Sequence, residues 1–234
     1  MRIHDFEDYT RSPGYESDLA AVRAVWSGQD LLETAGTFVF LTYLTLPALT
    51  AVRAPYARDA LARSTLDGAA ERVFLLRLLG FTDERAWYGG VRNAKVRELA
   101  GLIARRHAEF RGIQQDYLDF IATVIALAPL LVRLETDQPL KPSDLRGYWR
   151  YSAAAMALMR ARLGSKREAE HKCRAFVDEN AGLSPDGAVM LAAFAARHPR
   201  HFAAAVPALF PRSRSVVFTA LGEANDRVPE GPLR

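Results

Sequence analysis

The sequence predicts an all-α protein, and three observations carry that prediction. Alanine, leucine and arginine dominate the 234 residues while β-branched residues are sparse, a balance that favours helix over sheet. No stretch alternates apolar and polar residues for long enough to suggest a strand. Helix punctuation, by contrast, recurs along the whole chain as proline, glycine and short polar caps. With 50% hydrophobic and 25% charged residues the composition is that of an ordinary globular protein. No linker rich in Gly, Ser and Pro divides the chain, so residues 1–234 read as a single helical domain built as a multi-helix bundle.

The elements follow in order. Ser17 caps a helix that runs through Trp26 and ends at Gly28. Asp30 to Leu46 is a long apolar helix that stops at Pro47. Leu66 to Leu79 is closed by Gly80, and Thr82 opens a segment interrupted at Gly89-Gly90. Val91 to Phe110 is a strong amphipathic helix that Arg111-Gly112 ends. Gln114 to Glu135 is the most apolar helix, with a kink expected near Pro129. Lys141-Pro142-Ser143-Asp144 starts a helix that reaches Leu163 with Gly164 behind it. Lys166 to Asn180 is more polar and ends before Gly182. Ser184-Pro185 pairs a cap with proline at the first helical position. Shorter helices follow, and residues 226–234 read as a frayed tail.

Charge and cysteine content narrow the function classes. The net charge is +4, from 31 basic and 27 acidic residues mixed along the chain. No run of like charge resembles a nucleic-acid arm, so no nucleic-acid partner is expected. The single Cys173 excludes an intrachain disulfide and fits a reducing compartment. The N-terminus is acidic and polar, without the basic start and apolar core of a signal peptide. The apolar run from Thr37 to Val52 holds Pro47 and is shorter than the ~20 residues a spanning helix needs. These features predict no transmembrane segment and a cytoplasmic location.

No dinucleotide loop, Walker loop, GxSxG elbow, HExxH helix or CxxC pair is present. His171 and Cys173, two apart, point to different faces of a helix and make a poor zinc pair. His198 and His201 could share a metal by spacing, but flanking arginines make a solvated helix end the simpler reading. His107 differs. Val96, Leu99, Ile103 and Phe110 trace the apolar stripe of its helix, and His107 follows Ile103 by four positions. A buried imidazole must bond something: a backbone carbonyl in a structural role, or a metal in a functional one. One histidine suffices when that metal is haem iron. Ile121, Val124, Ile125, Leu127, Leu130, Leu131 and Val132 make an apolar wall on the next helix, suited to a flat macrocycle or to plain core. Arg105 and Arg106, or Arg72 and Arg77, could meet two propionates.

The run Arg106-His107-Ala108-Glu109-Phe110-Arg111-Gly112-Ile113-Gln114-Gln115-Asp116-Tyr117-Leu118 resembles a motif of the MpaB/rubber-oxygenase catalytic-domain family. There a histidine and a nearby phenylalanine precede an isoleucine, two polar residues and an acidic-Tyr-Leu step. The stretch from Ile121 to Pro129, then Gln138-Pro139-Leu140 and Trp149, is similar to the segments that follow in that family. The similarity covers about residues 31–163.

The resemblance implies an all-α bundle enclosing a b-type haem pocket, with iron held axially by His107. It further implies a haem-dependent oxidoreductase, an oxygenase acting on a small, largely apolar substrate with dioxygen or peroxide. Arg106 and Arg72 would bind the cofactor, and Arg72 would also serve as the distal catalytic group. The sequence departs from the family where polar distal groups are expected, at Leu75 and Leu76. That departure weakens oxygen management more than haem binding. The alternative function is a cofactor-free helical protein that binds partners or apolar ligands.

Overall fold

The computed structural model of the chain describes residues 3–51, 89–109, 114–138 and 140–225, and every regular element among them is helical. The elements are α1 (Ile3–Arg11), α2 (Tyr15–Val25), α3 (Gln29–Leu44), a 3-10 turn (Gly90–Arg92), α4 (Ala94–Glu109), α5 (Gln115–Glu135), α6 (Pro142–Leu158), α7 (Lys166–Asn180), α8 (Pro185–Arg197), α9 (Pro199–Ala205), a second 3-10 turn (Val206–Ala208) and α10 (Pro211–Asn225). The all-α expectation is met. The helix expected over residues 66–79, the segment opened by Thr82 and the tail 226–234 lie outside the described residues.

The broadest seam joins α2 to α6, two helices far apart in sequence. On α2, Tyr15, Asp18, Leu19, Val22 and Val25 recur at helical spacing and are all buried. On α6, Gly147, Tyr148, Tyr151, Ser152, Ala154 and Ala155 face inward. Gly147 is where the helices come closest. A Cβ there would stand 2.9 Å from Asp18 Oδ1 and 3.1 Å from Ala21 Cβ. A second layer packs α3 against α5 and α9, with α7 on another side of α5. Pro129 sits inside the continuous helix α5, and Tyr148 OH donates to the Ala126 carbonyl at 2.7 Å one turn before it.

Several boundaries differ from the sequence expectation, each for a local reason. α1 was not foreseen. Its Phe6 and Thr10 are buried and Tyr9 is half-buried, a narrow inward stripe on an otherwise polar segment. α2 begins at Tyr15 after Gly14, with no side-chain cap from Ser17. α4 begins at Ala94 rather than Val91, because Gly89 and Gly90 adopt φ of 93° and 57° and close a tight turn first. α6 stops at Leu158, short of Leu163 and Gly164. Arg160 takes the left-handed conformation at φ 61°, and the Ala161 N–H reaches back to the Met156 carbonyl. The Arg160 carbonyl then accepts from Gln115 Nε2 at 2.9 Å, and Asp119 Oδ1 accepts the Arg162 N–H at 2.8 Å. A contact with the start of α5 thus supports a helix end that glycine was expected to supply. The Ser184 cap does form, its Oγ accepting from the Gly187 N–H at 3.0 Å ahead of Pro185.

One helix, Gln115–Glu135, is long and apolar enough to cross a membrane by length and composition. In the fold, 61% of its apolar window is buried by neighbouring helices, as in a core helix.

Candidate functional site

The turn before α4 is fixed from three sides. Tyr15 OH donates to the Gly89 carbonyl at 2.6 Å and accepts from the Arg92 N–H at 3.2 Å. The Val91 N–H donates to Tyr151 OH at 3.1 Å. The Arg92 guanidinium lies 3.9 Å from the centre of the Tyr15 ring, donates to the Thr10 carbonyl and pairs with Glu16. Desolvation by burial pushes the Tyr15 hydroxyl up to about 12 and Tyr151 well above the usual tyrosine range. Helix α4, which carries His107, thus starts from an anchored point.

Along α4 the buried positions are Val96, Ala100 and Ala104, with Leu99 half-buried and Leu102 at the surface. The centre of the inward face is therefore rotated from the stripe of Val96, Leu99 and Ile103 expected from sequence. At ~100° per residue, position 107 falls within about 20° of Ala100, inside the arc spanned by Val96 and Ala104. Lys95, Glu98, Arg105 and Ala108 are exposed. His107 and Arg106 belong to the described backbone of α4, while their side chains and that of Ile103 lie outside the described set. Arg72, Arg77, Leu75 and Leu76 lie outside the described residues altogether.

The apolar wall of α5 divides into two parts. Val124, Leu127, Leu130 and Val132 are buried in the common core, where α5 meets α3, α7 and the Val206–Ala208 turn. Leu118, Ile121 and Ile125 form a half-buried stripe on the first half of the helix. Trp149 is half-buried and its Nε1–H donates to the Gly164 carbonyl at 2.7 Å, a bond that secures the chain after α6.

The side chains of three further histidines are described. His171 is exposed, whereas Cys173 is buried and desolvation pushes its thiol up. His198 packs at a tilt against Phe194 with ring centres 4.9 Å apart, and His201 Nε2 meets Glu33 Oε2 at 2.7 Å. The two histidines are thus directed to different partners. Among the described residues no three of His, Cys, Asp and Glu gather where they could hold a metal ion.

Two polar features were not singled out in the sequence. Asp18, only 1% exposed, accepts from Arg150 Nε at 2.9 Å and Nη2 at 2.6 Å and from Tyr9 OH at 3.1 Å. Desolvation and the Asp18 charge together hold the Tyr9 hydroxyl above the usual tyrosine range. Arg133, buried in the apolar helix α5, donates to the Val25 and Ala24 carbonyls at 2.8 Å each. Burial draws its guanidinium below its ordinary value. Both were detectable as charged residues on faces that helical spacing marks as apolar: Asp18 with Tyr15 three positions before and Val22 four after, and Arg133 three and four positions after Leu130 and Pro129.

No protein-family model matches the chain, and neither the curated proteins nor the solved structures hold a match to it.

Proposed function

We propose that the protein is a haem b-dependent oxidoreductase, an oxygenase for a small, largely apolar substrate, with His107 as the axial ligand to iron. The observation that carries this reading is the register of α4, which continues the Val96–Ala100–Ala104 face to the histidine of the MpaB/rubber-oxygenase-like motif. Haem iron needs only one histidine from the protein, and the motif offers it at His107. The half-buried stripe of Leu118, Ile121 and Ile125 on the following helix provides apolar surface of the kind a macrocycle covers.

In this reading His107 would hold the haem iron through its imidazole, and a carbonyl or carboxylate bonded to the ring's other nitrogen would orient it. Arg106 and Arg72 would bind the cofactor's propionates, and Arg72 would also serve as the catalytic hydrogen-bond donor. Bound haem supplies the redox centre at which dioxygen or peroxide is activated. Purified protein is expected to show a Soret band, and His107→Ala to lose it together with haem occupancy. Full occupancy and an unchanged band in that variant would reject the ligand assignment.

A second reading, a cofactor-free helical protein that binds partners or apolar ligands, is favoured by the filled half of the α5 wall. Val124, Leu127, Leu130 and Val132 already have protein neighbours in the core. It predicts a colourless protein whose thermal midpoint is unmoved by added hemin. A tightly bound cofactor must raise that midpoint.

A further inference from the structure

A cleft of about 160 Å³ opens where the start of α3, the end of α5 and α9 meet. Its floor is apolar, made by Leu31, Val132 and Ala204, and Thr34, Gln138 and Arg200 stand around it. Asp30, the acid in its lining, is already engaged, and so is Glu33 outside the lining. Asp30 Oδ2 receives Arg200 Nη2 at 3.0 Å, and Glu33 holds His201 on the cleft wall. The pairing on Asp30 leaves other guanidinium N–H donors of Arg200 for a ligand.

Arg133 follows the cleft residue Val132 in α5 and bonds the cleft residue Gln138. All its partners among the described residues are neutral oxygens: the Ala24 and Val25 carbonyls, Ser27 Oγ at 3.1 Å and Gln138 Oε1 at 3.3 Å. A buried cation is ordinarily matched by an anion. The end of α2 that Arg133 caps supplies only about half a unit of negative charge. Its bond to Gln138 has a second effect. With Oε1 taken by the guanidinium, the Gln138 amide nitrogen is the end left to donate. The cleft thus combines an apolar floor, donors at its rim and an under-compensated positive charge behind one of them.

We propose that this cleft binds a short-chain monocarboxylate, its carboxylate on Gln138 and Arg200 and its alkyl end on Leu31, Val132 and Ala204. Size sets the chain length. A cleft of about 160 Å³ admits a small ligand and not a long acyl chain. The site is separate from α4 and requires no haem.

Titration of the full chain with sodium butyrate, followed in ¹H–¹⁵N spectra at constant ionic strength, tests the assignment. Saturable shifts are expected at Leu31, Thr34, Gln138 and Ala204, with none from matched sodium chloride. Gln138→Ala, at the exposed rim, should weaken binding about tenfold, the usual scale for one hydrogen bond to a charged group. Ala204→Phe should abolish binding by filling the floor. The proposal is overturned if butyrate does not saturate, if chloride or inorganic phosphate gives the same shifts, or if Gln138→Ala binds as tightly as the parent. Gln138→Ala decides the matter even where Ala204→Phe fails to fold.

Discussion

At Gly90 a φ of 57° disfavours a side chain and the Tyr151 hydroxyl leaves no room for one, since a Cβ there would overlap that oxygen and crowd Leu19. Gly90→Ala should therefore cost about 2 kcal/mol or more, by strain and by loss of the bond from the Val91 N–H. A chemical denaturation curve would measure it. Cys173 gives a second test at this scale. Its side chain is 1% exposed and desolvation raises its thiol, so it should ignore a disulfide reagent in the native protein. Rapid native labelling would show that the α7 face is open. The residue scale is also where sequence reading reached furthest toward a site and then stopped. The period of α4 put His107 in line with Val96, Leu99 and Ile103, whereas the buried face found on that helix centres on Val96, Ala100 and Ala104. Which neighbours face that position depends on packing across helices, which one helix's own period does not encode.

Helix ends show what local sequence encodes and what it does not. Ser184-Pro185 was legible because both parts of the signal, a hydroxyl cap and a proline at the first position, act within four residues. Ser184→Ala should cost about 1 kcal/mol. The end of α6 was not legible, because the left-handed residue there is Arg160 and its carbonyl is met by Gln115, 45 positions away. Arg160 is exposed and gains nothing from a Cβ in that conformation, so Arg160→Gly should be neutral or stabilising by up to about 1 kcal/mol. A fall in thermal midpoint would mean that the Arg160 side chain contributes at the helix end. α1 was missed for a third reason. Among its described side chains the inward face is Phe6, Tyr9 and Thr10, too narrow to stand out from the polar residues between them.

Across the whole molecule, four tyrosines share one behaviour. Desolvation by burial is the main cause that raises Tyr9, Tyr15, Tyr148 and Tyr151, with Tyr15 pushed up to about 12. An unfolded chain releases these protons near the ordinary tyrosine value of about 10. Above that pH the unfolded chain holds fewer protons than the folded one, so stability falls as pH rises. The contribution is complete below about pH 10 and is lost as pH climbs through the folded values. Phenolate absorbance should therefore appear in two stages, with these four among the last of the eight tyrosines and rising together with loss of helix signal. Early, non-cooperative ionisation of all eight would contradict the buried cluster.

The α2–α6 seam also bears on how the chain assembles. Asp18 and Arg150 are 132 positions apart, whereas Asp119 and Arg162, which join α5 to the chain after α6, are separated by 43. Closing the longer loop costs more chain entropy, so the α5–α6 hairpin has the advantage as an early nucleus and α2 docks onto it afterwards. A methyl group at Gly147 would then leave the refolding rate nearly unchanged and appear as faster unfolding. In kinetic terms, the N-terminal helices act as a latch, and the lifetime of the native state depends on the hold of Asp18 on Arg150 and the fit of α2 over Gly147.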